Sequence, residues 1–279
     1  MRKGVNYGIA VLVFVLTMIL MNGSGILLVS GAAFFGTMIG GVNGVNGVYE
    51  FLVNNLNLFT CLIYVITGSV FLLWYYFAFA EPAGVPRFVN AQTRRLSPSC
   101  FVWLFILSFA VEHVVSLLMT LINVIAPSAI EEYTELVETA GVTEYSPVWV
   151  IGTLILPPLV EEIIFRGLIL GYLRKAGACF IVANLIQAVL FGVYHMNLVQ
   201  GIYAAALGFL LGYLVWRYES LIAPMVVHAL FNFFGTVIVE LESNILPELF
   251  FGMIIIGCVP LLVLALVMIH WGIGGKKRG

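Results

Sequence analysis

The chain contains no aspartate: all 14 acidic residues among its 279 are glutamate. A catalytic pair of aspartates is thereby excluded. Charge of either sign is scarce, at 9% of residues, where an ordinary soluble domain carries about 25%. So few charges cannot cover a water-facing surface, and the 62% of hydrophobic residues fit a polytopic membrane protein instead. There is no basic excess, because 12 Lys and Arg stand against 14 Glu, and nucleic acid is excluded as a partner. The marks of a serine hydrolase (G-x-S-x-G) and of a zinc peptidase (H-E-x-x-H) are both missing. Cys61, Cys100, Cys179 and Cys258 lie in or beside apolar runs without C-x-x-C spacing. They read as buried small hydrophobes, not as disulfide partners or metal ligands.

What the chain has in abundance is apolar runs of membrane-spanning length. They fall at 5–30, 52–80, 101–126, 148–170, 178–195, 200–216, 221–239 and 249–271, and predict an all-α polytopic membrane fold of about eight transmembrane helices. The Gly- and Asn-rich stretch 31–57 predicts an external loop or a flexible hairpin and not a further span. The first run, behind Arg2 and Lys3, reads as an uncleaved anchor. Eight spans put both termini on one side. Arg2, Lys3, Arg87, Arg94, Arg95, Arg174, Lys175, Arg217 and the tail Lys276, Lys277 and Arg278 share that side. Glu131, Glu132, Glu135, Glu138, Glu144, Glu242 and Glu248 share the other. The positive-inside rule makes the basic side, and with it both termini, cytoplasmic. Arg166 breaks the pattern by lying inside the fourth helix.

An ionisable group at membrane depth costs at least ~2.5 kcal/mol on insertion scales, so it is paired, faces a cavity, or acts. In the run PPLVEEIIFRGL, Pro157 and Pro158 remove backbone donors and bend the helix, which is tolerated only where protein or a wet cavity satisfies the freed carbonyls. Glu162 and Arg166 stand four apart on one face and can pair. Glu161, rotated about 100° from Glu162, has no partner on its own helix. The fifth helix carries His195 four residues after Phe191, and the seventh carries His228 and Asn232 four apart. Each histidine alone reads as interhelical glue. Jointly, helices 4, 5 and 7 supply polar groups for one pocket. Glu112 and His113 on the third helix point to different faces and suit a packing or pocket-support role. His270 and Trp271 read as an interfacial anchor, Asn184, Gln187 and Gln200 as interhelical hydrogen-bonding groups, and the acidic loop 131–144 as a solvated amphipathic segment.

Peptide hydrolysis in such a pocket needs a nucleophile, a base and oxyanion donors. A carboxylate in an apolar site beside a like charge can serve as the base toward water. His195 could share the proton or position the water, and His228 with Asn232 suits an oxyanion site. In order along successive helices, Glu-Glu-x-x-x-Arg (Glu161, Glu162, Arg166), Phe-x-x-x-His (Phe191, His195) and His-x-x-x-Asn (His228, Asn232) resemble the motifs of the CAAX prenyl protease and Abi family over roughly residues 145–235. The resemblance implies an intramembrane endopeptidase in which Glu161 is the general base, assisted by His195. His228 and Asn232 would stabilise the oxyanion, and Glu162 and Arg166 would shape the site. It implies three parts: helices 1–3 with their loops (1–140), the catalytic core (141–240), and the last helix with a basic tail (241–279).

No cofactor is expected. The alternative is a zinc held by Glu161, His195 and His228, since two histidines and a carboxylate form a known catalytic set. The expected partners are membrane lipid and a peptide or protein substrate, prenylated or not, met in the plasma membrane of a bacterium or the endoplasmic reticulum of a eukaryote, with cleavage at the cytoplasmic face. A non-catalytic immunity or scaffold protein binding a peptide in the same pocket is the competing reading. A proton-relaying transporter would show paired halves, which this sequence lacks. One expectation is awkward: from helix positions alone, His195 would stand about 10 Å outward of Glu161 and His228.

Overall fold

The computed structural model describes residues 3–140 and 145–272, so Arg2, Glu144 and the basic tail lie outside the described residues. Among the described residues there are helices and no strand. They are α1 (Lys3–Val53), α2 (Leu56–Ala83), α3 (Val85–Thr93), α4 (Pro98–Ile125), α5 (Pro127–Thr139), α6 (Pro147–Lys175), α7 (Phe180–Tyr194), α8 (Leu198–Tyr218), α9 (Ile222–Ile245) and α10 (Glu248–Gly272). All but α3, α5 and α7 are long and apolar enough to cross a membrane. The 15 residues of α7 reach only about 22 Å at 1.5 Å per residue. The all-α polytopic class is therefore as the apolar runs predict.

The stretch 31–57 corrects the loop alternative and retains the hairpin alternative. It is helical through Val53, not a loop, and the chain reverses at Gly41 (φ 58°, ψ −136°), a backbone conformation open chiefly to glycine. The two arms touch through bare backbone, since a Cβ on Gly36 would stand 2.8 Å from the carbonyl oxygen of Gly44. Two glycines at the contact let the arms approach as no larger pair would.

The basic residues gather at one end of the bundle. Arg94 and Arg95 pair with Glu219 at 3.0 and 2.8 Å, Arg95 also donates to the carbonyl of Arg217, and Arg217 donates to the carbonyls of Ile269 and His270. Lys175 donates to the carbonyl of Ala78 and lies over the Phe79 ring, and the Lys3 side chain reaches the turn at Gly177. Large apolar side chains cover the outside of the bundle, Ile26, Val102, Ile181 and Ile256 among them. That is the surface lipid requires and water does not.

Two apolar cores meet along α8, where Tyr203 packs against both. One joins α6 to α1, α2 and α7 through Phe71, Ile164, Phe165 and Phe191; the other joins α4, α8, α9 and α10 through Leu104, Leu211, Val227 and Ile269. Half of the most apolar stretch of α6 is buried, more than in any other span. Glu161, Glu162 and Arg166 on α6 are buried within the bundle.

Candidate functional site

The backbone of α6 is irregular because its sequence makes it so. Pro157 and Pro158 have no N–H, so the Thr153 carbonyl can close neither an i+4 nor an i+5 bond. The side-chain amide of Asn232, on α9, donates to that oxygen at 3.0 Å. The helix widens into π-type turns over Val150–Ile155 and again over Glu162–Ile169. Such turns place consecutive side chains off the regular helical faces, here beside the two glutamates.

Glu161 is 2% exposed and accepts a hydrogen bond from the Tyr64 hydroxyl on α2, Oη to Oε1, at 2.6 Å. The Tyr64 hydroxyl also meets that of Tyr194, at 3.3 Å. The other Glu161 oxygen, Oε2, lies 3.7 Å from Nε2 of His228. Glu162 is fully buried, and its Oε1 accepts from Arg166 Nη1 and faces His228 Nδ1, both at 2.9 Å. A carboxylate in that place keeps a proton on Nδ1 and fixes the plane of the ring. Arg166 completes the group by packing its guanidinium 4.3 Å over the Phe191 ring. Gly208 leaves room for it, since a Cβ there would come within 3.1 Å of both Arg166 Nη2 and Phe191 Cδ1. Phe191, named in sequence only for its spacing from His195, thus serves as the aromatic floor beneath a buried cation.

The expected outward displacement of His195 is absent because α7 is short. It stops where α6 carries Glu161, and the chain turns at Met196, in the left-handed region at φ 55°, before α8 leads back toward the basic end. His195 caps α7, its ring edge-on to Phe191 at 5.0 Å. Glu161, His195, His228 and Asn232 all line one cavity of about 530 Å³ together with Tyr64, Tyr194 and Tyr203. Asn57, Ala140 and Met196, at the ends of elements far from the basic loops, also line it. Its mouth therefore lies at the acidic end.

Sequence reasoning missed Tyr64, Tyr194 and Thr153. A tyrosine in an apolar helix carries no insertion penalty large enough to notice, and a backbone carbonyl has no sequence mark beyond the prolines that free it. The remaining expectations divide. Asn184 and Gln187 bond across to the carbonyls of Phe209 and Gly208 on α8, as expected, whereas Gln200 lines the cavity. His113 donates through Nδ1 to the Phe109 carbonyl, and its Nε2 meets Glu242 at 2.7 Å, tying α4 to α9. His270 is bonded to Tyr213, and Trp271 is exposed. Cys61, Cys100 and Cys258 are buried, but Cys179 is exposed, a correction that follows from its place in the turn before α7.

A polytopic helical membrane protein with a polar cavity walled by helices 1, 2, 6, 7, 8 and 9 belongs to a class in which protein, not lipid, surrounds the ionisable groups. Residues 143–234 match the family described as Type II CAAX prenyl endopeptidase Rce1-like. Over 96 residues the chain is 36% identical to the Bacillus subtilis (strain 168) protein named "Putative membrane peptidase YdiL", a stretch covering 34% of this chain and 38% of that relative. No solved structure matches. The segment with all three motifs is thus the part of the chain that is similar to this family.

Proposed function

We propose that the protein is an intramembrane endopeptidase in which Glu161 acts as general base on water. The observation that carries this reading is the convergence of Glu161, His195, His228 and Asn232, from three helices, on one cavity. Water enters from the acidic end. Glu161 Oε2 takes one of its protons as its oxygen adds to the carbonyl carbon of the scissile peptide. Tyr64 holds the other carboxylate oxygen, so that Oε2 is left facing the cavity and His228. Negative charge then grows on the former carbonyl oxygen, where a protonated Nε2 of His228 and the second amide hydrogen of Asn232 are the available donors. As the tetrahedral intermediate collapses, the C–N bond breaks and the leaving amine receives the proton from Glu161, with His195 assisting. Glu162 and Arg166 act through His228: they hold its ring and balance their own charges.

Zinc does not enter this reading. Among the described residues no three His, Cys or Glu side chains are grouped to hold a metal ion; the contact of His228 Nδ1 with Glu162 is compatible with either reading. Asn232 and Arg166 have clear work in a metal-free site and none as ligands.

With the basic end in the cytoplasm, the mouth at the acidic end opens to the opposite side. This reverses the expectation of cytoplasmic cleavage, and it suits a bacterial plasma membrane where peptides are processed at the outer face. The substrate is a peptide whose scissile bond reaches membrane depth, whether or not it carries a prenyl group.

The test is cleavage of a quenched fluorescent peptide library, prenylated and unprenylated, by the purified protein and by Glu161→Ala, each with and without chelator. Cleavage by the wild type, absent in the variant and unchanged by chelator, is expected. Chelator-sensitive cleavage would replace the glutamate mechanism by zinc. No cleavage under any condition would leave a peptide-binding scaffold.

A further inference from the structure

A second cavity of about 520 Å³ lies beside the first, with Thr153, Gln200, Tyr203, Phe231 and Asn232 forming a wall common to both. Its distinguishing group is Glu112 on α4. This carboxylate is 7% exposed, it lines the cavity, and its Oε2 is buried with no hydrogen-bond partner. The adjacent His113 points elsewhere, to Phe109 and Glu242. Across from Glu112 the α9 backbone is widened into a π-type turn at Phe234–Ile238. There Gly235 leaves the carboxylate its space, since a Cβ at that position would stand 2.8 Å from Oε1. The other titratable groups facing the cavity are Tyr133, Tyr203 and Glu240; no lysine, arginine or histidine is among its described lining residues.

A carboxylate held at this depth without an opposite charge is costly, and packing does not explain it, because Gly235 keeps its surroundings open. We propose that this cavity is a substrate subsite that receives a positively charged side chain, a lysine or arginine of the peptide, against Glu112. The proposal rests on the endopeptidase reading. Asn232 then has two neighbours: the scissile bond on the Glu161 side and the cationic side chain on the other. A peptide lying across the common wall would reach both. The pairing is strong only inside the cavity, where water is limited, so it selects sequence as well as adding affinity.

The experiment uses the full-length protein in nanodiscs and quenched fluorescent peptides in which Lys, Arg, norleucine or Glu is placed in turn at each position flanking the cleaved bond. At one position the wild type is expected to cleave the Lys and Arg peptides with kcat/KM at least tenfold above norleucine, and Glu112→Gln is expected to lose that preference while cleaving the norleucine peptide at the wild-type rate. An unchanged preference in Glu112→Gln, or no cationic preference in the wild type, overturns the subsite. So does an equal loss on every peptide, which would make Glu112 a support of the machinery. If the wild type cleaves nothing, the endopeptidase reading fails separately. Binding of fluorescent Lys and norleucine peptides to wild type and Glu112→Gln then decides the subsite: tenfold tighter Lys binding confined to the wild type supports it, and equal binding refutes it.

Discussion

Replacing Arg166 by methionine removes the guanidinium that meets Glu162, while keeping most of the side-chain volume over Phe191. Both partners are essentially unexposed, the pair spans 2.9 Å, and Glu162 is left with His228 alone. Breaking a buried pair from one side costs about 3–5 kcal/mol, because the remaining charge has no solvent. With His228 Nδ1 still on the same oxygen, the lower end applies, about 3 kcal/mol. At roughly 2–4 °C per kcal/mol for a chain of this size, the unfolding temperature in detergent should fall by about 6–12 °C. The double variant Glu162→Gln, Arg166→Met removes both charges and should recover more than half of that loss, so that its loss falls well below the sum of the two single losses. Its peptide cleavage should nevertheless stay low, since His228 no longer faces an ionised partner. An Arg166→Met protein that melts with the wild type would refute the argument. So would a double variant whose loss equals the sum of the two single losses.

Asn232→Ala should cost about 1–3 kcal/mol by leaving the Thr153 carbonyl unpaired. Adding Pro157→Ala should remove most of that cost by restoring a helical N–H, as thermal unfolding of the single and double variants would show. Tyr64→Phe keeps the packing but releases Glu161 Oε1. A drop in kcat/KM of roughly tenfold or more, beside a loss of stability of about 1–3 kcal/mol, is expected from a lost hydrogen bond to a buried charged group. In intact cells an impermeant maleimide should label Met196→Cys, at the mouth, from outside and leave the natural exposed Cys179 unlabelled until the membrane is opened; the reverse pattern would turn the assignment of sides around.

The helices were readable because apolar runs and proline breaks are written in single residues. The misreading of 31–57 has a definite cause. Gly36, Gly40, Gly41 and Gly44 suggest a loop in water, but in a membrane glycines serve close helix contact, and only Gly41 breaks the helix. The candidate site was readable in those members whose burial is costly, Glu161, Glu162, Arg166 and the two histidines. Tyr64 escaped because it lies 97 residues from Glu161 in sequence and its hydroxyl is inexpensive to bury. His195 was placed too far outward on the premise that every span has full length, which the 15 residues of α7 do not.

That short helix has a consequence for the lipid around it. At about 22 Å it falls some 8 Å short of a hydrocarbon core near 30 Å. Its outer face, Ile181, Val182, Leu185, Val189 and Val193, is exposed to lipid all the same. A bilayer meeting a segment this short thins locally to match it. Where the bilayer thins in this way, the turn at Met196 and Asn197 would be the floor of a dent, and Glu161 would lie at a shallow depth measured from there. Acyl-chain length then becomes a control on the protein: short-chain lipids fit the dent without strain, and long-chain lipids bring hydrocarbon over the place where water must enter.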